Sequence, residues 1–257
     1  MVEYLSFEGA INMTKRILGI VAFIIFFLFV NNVIFSRDIV IITNNYYVNP
    51  QEEIEVVEEQ DDKPKLDLIN INKLRKDKGN DDIVGVVKID SINLNAIVVK
   101  GKDNDYYLKH DLAKKNSIFG TEFVDARNNN DLAHEKQINI YGHNSRIEDY
   151  TSKLEFSKLN KITDKNVFNN LSDIYFYIDN DVLVYKPVIV KVITTDYEYT
   201  RLVYKSKEVL KKHLDNLSSK TMYCNGDCQI AEDKDIIILQ TCYYDPVGSY
   251  LLLIGIK

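Results

Sequence analysis

The chemistry of this chain concentrates at the ends of two apolar runs. Cys242 closes the run "IIILQTC", and His143 follows directly on "QINIYG". A thiol at the end of a strand is neither core filler nor, by itself, a metal site. An imidazole just past a glycine, on a rigid support, can project into a cleft, and its charge changes nearest neutral pH. A cysteine and a histidine far apart in sequence but both at strand ends suit nucleophilic catalysis, because the thiolate needs a proton partner. Its activation requires a lowered thiol pKa, usually through a cation or an imidazolium close by. Position alone does not separate His143 from an ordinary loop histidine.

The other three histidines carry less. His213 lies on the apolar face of a helical pattern beside Leu210 and Leu214, which predicts a partly buried structural residue. His134 sits in the polar stretch "NNNDLAHEKQ" and reads as an exposed loop residue, and His110 in "YYLKHD" as a residue that pins a local turn. Cys224 and Cys228 flank an Asn-Gly turn signal in "YCNGDC". They either pair as a small disulfide, leaving Cys242 as the odd free thiol, or remain two thiols. No histidine follows at ligand spacing, so a zinc site is not expected. No cofactor is expected either: the sequence has no Gly-rich phosphate loop and no HExxH motif.

The elements that must position this pair are mostly strands. The runs "IVGVVKI", "LNAIVV", "SIFGTEFVDA", "QINIYG", "IYFYIDNDVLVYKPVIVKVITT", "IIILQTC" and "YLLLIGI" are rich in Val, Ile and Tyr and broken by Asn, Asp and Gly. That is the pattern of antiparallel strands in a barrel or sandwich. A helix is predicted over "LDLININKLRKD" at the start of the folded region. Two helical inserts are predicted in long connections, "TSKLEFSKLNKI" and "VYKSKEVLKKHLDNL", where leucines recur at helical spacing.

Ahead of this region, Ile17–Ser36 is uncharged and mostly apolar over twenty residues, bracketed by Lys15-Arg16 and Arg37. That length spans a bilayer, and no small-residue cleavage site follows it. The expectation is a short tail over 1–14, a retained signal-anchor over 15–37, an acidic linker over 38–65 and a folded domain over 66–257. Two basic residues before the span against one after it place the N-terminus in the cytoplasm and the domain outside. The formal net charge of −6 offers no basic footprint for nucleic acid.

"INIYGHN" and "IILQTC", about a hundred residues apart behind a signal-anchor, resemble the sortases, cysteine transpeptidases of the Gram-positive surface. "NDDIVGVVKIDSINLNAIVVKGKDNDYYLKHD" and "SIFGTEFVDARNNN" are similar to class B in particular. The resemblance covers the folded region. It implies an eight-stranded β-barrel with the site at one end, Cys242 as nucleophile and His143 as its acid/base partner. It further implies cleavage of a sorting signal (LPxTG-like, or NPQTN- or SPxTG-like in class B) on surface proteins, and transfer of the acyl group to an amine of a peptidoglycan precursor or a pilin.

The chain departs from that family at one point. Sortases carry an arginine on the last strand, and no arginine lies between Cys242 and Lys257. Tyr250 falls nearest its place, with Ser249 beside it. A tyrosine hydroxyl offers one neutral donor where a guanidinium offers a charged fork. Thr241 is a further candidate for the oxyanion or substrate, and Arg201 and Arg146 are arginines that reach in from elsewhere. Asn144 and Asp245 are candidates to orient His143. The rival readings are a catalytically weak sortase-like domain that binds peptides or a partner, and a thiol redox protein using Cys224 and Cys228.

Overall fold

A computed structural model describes residues 68–194 and 202–257. The expected anchor over 15–37, the tail before it, the whole of the 38–65 linker and Arg201 lie outside the described residues. Among the described residues, no helix is long and apolar enough to cross a membrane.

The chain enters through helix α1 (Ile71–Lys78). Asn70 caps it by accepting from the Lys73 N–H, and Gly79 ends it at φ 64°, a left-handed conformation that glycine adopts without strain. Strands β1 (Ile83–Ile89), β2 (Leu94–Val99), β3 (Phe123–Val124) and β4 (Gln137–Gly142) follow. Next come two short helices, α2 (Glu148–Thr151) and α3 (Lys165–Asn169), with a 3-10 segment over Glu155–Thr163 between them. The hairpin β5 (Ile174–Ile178) and β6 (Asp181–Ile193) leads to helix α4 (Lys207–Ser218) and β7 (Tyr223–Cys224). The chain closes on β8 (Ile236–Tyr244) and β9 (Val247–Ile256).

Pairing runs β5-β1-β2-β3-β4-β8-β9-β6, and β6 pairs back to β5. That ring closes an eight-stranded barrel and leaves β7 attached to β6 outside it. Closure removes sheet edges that would otherwise be open for pairing. Neighbours are antiparallel except β2–β3 and β4–β8.

Both faces of β8 are buried, which explains why its sequence reads as an unbroken apolar run. Ile237 and Leu239 point into the barrel with Ile138, Ile140, Leu251 and Leu253. Ile236 and Ile238 point outward, where Leu214 and Leu217 of α4 cover them with Leu252 and Ile254. Side chains alternate along a strand, so Thr241 continues the inward set while Gln240 and Cys242 continue the outward set. The site is therefore on the outer face of the sheet, beside the ends of β4 and β8, and not in a barrel mouth.

Two expected elements take another form. "SIFGTEFVDA" supplies only the two residues of β3. The remainder is a turn in which Thr121 donates its hydroxyl to the His110 carbonyl, and Gly120 sits at φ 57°. "TSKLEFSKLNKI" forms mainly the 3-10 segment rather than an α-helix, although Leu154, Leu159 and Ile162 are buried as the spacing implied.

Candidate active site

The parallel pairing of β4 and β8 sets Gly142 opposite Thr241. His143 follows β4 directly and Cys242 is the next residue of β8, and both line one cleft of about 290 Å³. Antiparallel pairing with β9 sets Tyr250 directly opposite Cys242. Directly opposed residues share a face, so Cys242 and Tyr250 stand side by side on the cleft floor with Gln240, Tyr141 and Phe123. Asn104, Asp105 and Leu108, from the connection between β2 and β3, form the facing wall.

His143 is held on two sides. Its Nε2 lies 2.8 Å from the Leu108 carbonyl oxygen. A carbonyl only accepts, so Nε2 is the donor to it and Nδ1 is the nitrogen left outside that bond. Gly120 backs the ring: a Cβ there would approach His143 Cδ2 to 2.9 Å. Before it, Gly142 turns its bare Cα to Phe156, whose ring a Cβ would meet at 2.5 Å.

The loop after His143 is stitched to the end of β8. Asn144, 6% exposed, donates Nδ2 to the Cys242 carbonyl at 2.8 Å and to Asn160 Oδ1 at 2.9 Å. Tyr244 returns its hydroxyl to the Asn144 carbonyl at 2.8 Å, and Thr241 donates its hydroxyl to the Gly142 carbonyl at 2.9 Å. These bonds fix the backbone of the thiol strand relative to the imidazole strand.

Several expected roles change on this geometry. The Asn144 amide is committed to Cys242 and Asn160, so it positions the two strands rather than the imidazole. The Thr241 hydroxyl is buried and committed to Gly142. Ser249, 2% exposed, gives its hydroxyl to the Pro246 carbonyl at 2.7 Å and closes the β8–β9 turn; it does not line the cleft. Asp245 lies in the same turn and makes no ion pair or hydrogen bond with His143 among the described residues. Arg146 donates to the Tyr244 carbonyl at 2.5 Å and lies 4.7 Å over the Tyr244 ring, on the rim and outside the cleft lining.

Electrostatically the cleft is poor in positive charge. Among the described residues no lysine or arginine lines it. Cys242 is half-buried, and burial pushes its thiol above its ordinary value with no cation to oppose the shift. Behind the floor, Tyr141 donates its hydroxyl to Asp125 at 2.6 Å, and Arg127 pairs with the same carboxylate at 2.6 Å. Burial alone would raise Asp125, but these hydrogen bonds hold its pKa near 2.

The remaining candidates settle elsewhere. Cys224 and Cys228 form a disulfide, and Cys242 is the free thiol. His213 is buried and meets Gln137 Oε1 at 2.7 Å; His134 is exposed beside Asp131; His110 stacks on Tyr106 and bonds its carbonyl. Among the described residues no group of three His, Cys, Asp or Glu side chains converges as a metal site would require. Sequence reasoning missed the wall residues Asn104 and Leu108, which sit in a connection without periodic pattern. It also missed Gln240, whose signal was present as the polar residue that directly follows the apolar run Ile236–Leu239.

No family model matches the chain. Sortase B of Listeria monocytogenes is 28% identical over 167 residues, which is 64% of this chain and 64% of that protein. The matched segment therefore spans less than two thirds of that relative's length. Sortase B of Clostridium perfringens superposes with a TM-score of 0.64 at 27% identity, over 72% of this chain and 98% of that one. A Staphylococcus aureus sortase B solved as a substrate complex shares the fold, with a TM-score of 0.62 at 24% identity over 72% of this chain and 83% of that one. Sequence relatives, barrel topology and a thiol–imidazole cleft converge on one group: the chain is similar to the sortases, and to sortase B in particular.

Proposed function

We propose that the chain is a cysteine transpeptidase that cleaves a sorting signal on surface proteins and transfers the acyl part to an amine. The observation that carries this reading is that Cys242 on β8 and His143, directly after the adjacent parallel strand β4, line one cleft.

In the first step His143 Nδ1 takes the thiol proton and Cys242 Sγ attacks the scissile carbonyl carbon. The carbonyl π electrons move to oxygen, giving a tetrahedral oxyanion. The imidazolium then gives its proton to the departing amine, the C–N bond breaks, and a Cys242 thioester remains. An incoming amine attacks the thioester and gives its proton to Nδ1, the C–S bond breaks, and the departing Cys242 thiolate takes that proton back from the imidazolium. Tyr250, opposite Cys242, is the hydroxyl placed to donate to the oxyanion where the family has an arginine. Losing one such donor typically costs about 2.7–4 kcal/mol of transition-state stabilisation.

His143 also borders a second cavity, of about 580 Å³, lined by Leu108, Lys109, Asn116, Ser117 and Ile118. The signal occupies the Cys242 side of the imidazole, and the accepting amine enters from this side. The Staphylococcus aureus relative, which shares the fold, was solved as a substrate complex, and that supports a substrate held by this fold. The segment over 15–37 anchors the chain in the membrane with the domain outside.

A second reading has its own observation. A thiol raised by burial, with no cation beside it, suits a domain that binds signal peptides without acylating. Incubating the full chain, in detergent micelles, with LPxTG, NPQTN and SPxTG peptides plus triglycine separates the two. The enzyme yields peptide–triglycine product; binding with no product over hours leaves only the second reading.

A further inference from the structure

Several polar side chains around the Cys242 cleft are committed within the protein. Thr241 gives its hydroxyl to Gly142, and Tyr141 gives its hydroxyl to Asp125. Asn104 Oδ1 accepts the Ala126 N–H at 2.7 Å. Gln240 differs in that its uncommitted oxygen is buried: its Oε1 has no hydrogen-bond partner, and its carboxamide makes no hydrogen bond among the described residues. A buried, unpaired carbonyl group is costly to keep, because the water it gave up is not replaced.

Position makes this more than a packing fault. Gln240 lies two residues before Cys242 on β8, so both side chains leave the same face, and both line the cleft. Its partner across β9 is Leu252, which offers it no polar group, and its partner on β4 is Tyr141. The terminal torsion of a glutamine is soft, so a small rotation turns either end of the amide toward the cleft. A backbone peptide group carries both an N–H and a C=O and is the natural complement of a carboxamide.

We propose that Gln240 is a substrate-binding residue whose carboxamide pairs with a backbone amide of the peptide held in the cleft. Two residues along a strand span about 6.6 Å, which is also the reach of two residues of an extended peptide. The paired amide therefore lies about two residues from the carbonyl that Cys242 attacks. The inference rests on the reading of this cleft as the signal-binding site. It assigns that site a fixed point of register, which places the scissile bond at the thiol.

The test uses the full chain in detergent micelles, carrying Cys242→Ala, and an Asn-Pro-Gln-Thr-Asn peptide. A set of esters of that peptide replaces each backbone N–H in turn by oxygen. Dissociation constants are measured by calorimetry for this parent and for parent plus Gln240→Met, which keeps length and volume. One ester position should weaken binding to the parent about tenfold, the usual worth of one such bond, and make no difference once Gln240 is Met. Equal affinity of the two proteins for the amide peptide, equal ester losses in both, or no binding to either overturns the inference. A matched thermal midpoint for the two proteins excludes misfolding as the cause.

Thioester formation in the chain with Cys242 intact separates this inference from the reading beneath it. Acylation that is indifferent to Gln240→Met removes the Gln240 role and keeps the enzyme. Gln240-dependent binding without any thioester keeps the Gln240 role and removes the enzyme.

Discussion

Replacing Tyr250 by Arg restores to the cleft the charge it lacks, and the size of the effect follows from the pairing register. Tyr250 and Cys242 are directly opposed on β9 and β8. Opposed Cβ atoms lie about 4.5–5.5 Å apart, so a guanidinium at position 250 reaches to about 6 Å from the thiolate. At an effective dielectric constant of about 20, that pair is worth about 2.8 kcal/mol. The cleft is open to water, and screening that halves the figure leaves about 1.4 kcal/mol. Thiolate at pH 7 should therefore increase ten- to hundredfold, at about 1.36 kcal/mol per decade. Because the disulfide removes Cys224 and Cys228, iodoacetamide reports on Cys242 alone. Mass spectrometry of alkylation against pH should show a wild-type midpoint above that of an ordinary thiol, the direction set by burial. Tyr250→Arg should alkylate ten- to hundredfold faster at pH 7. Equal rates in the two proteins, or a wild-type midpoint near neutrality, would refute the claim that this thiol lacks a stabilising cation.

Three further outcomes follow from the same geometry. Asn144→Ala strands the Cys242 carbonyl and the Asn160 amide, and urea unfolding should report a loss of about 2–4 kcal/mol; a loss well under one would mean that Asn144 does not join the strands. Asp125 has a folded pKa of about 2, below an unfolded carboxyl near 3.9. Its contribution, about 2 kcal/mol, is therefore present above pH 4 and disappears as pH falls through about 2. The gap in urea midpoint between wild type and Asp125→Asn should accordingly narrow from pH 7 to pH 3, and a constant gap would contradict it. Ile118, 72% exposed on the second cavity, should when changed to Asp slow transfer to triglycine several-fold without slowing thioester formation; equal transfer would remove that cavity as the amine's route.

The strands were legible because their apolar runs have the right length and clean breaks. β1, β2 and β4 occur as the runs "IVGVVKI", "LNAIVV" and "QINIYG". Which face of β8 carries the thiol was not legible, because both faces of "IIIL" are buried and alternation leaves no mark on it. Only α4, packing outside on Ile236 and Ile238, distinguishes the faces. Cys242 and His143 stood out by position at strand ends. The Leu108 carbonyl that holds the imidazole is a backbone group, and no side-chain pattern announces it. Ser249 looked available because it flanks Tyr250, yet the turn consumes its hydroxyl. Gln240, the first polar residue after the apolar run of β8, was the sequence signal left unread.

The most direct test of the account is whether Cys242 forms a thioester. The full chain, in detergent micelles, is mixed with LPxTG, NPQTN and SPxTG peptides, quenched in acid and weighed intact. The account predicts an adduct of the acyl fragment on wild type with at least one peptide, none on Cys242→Ala, and a greatly slowed adduct on His143→Ala. Peptide binding with no adduct on wild type, or an adduct that survives Cys242→Ala, would contradict it.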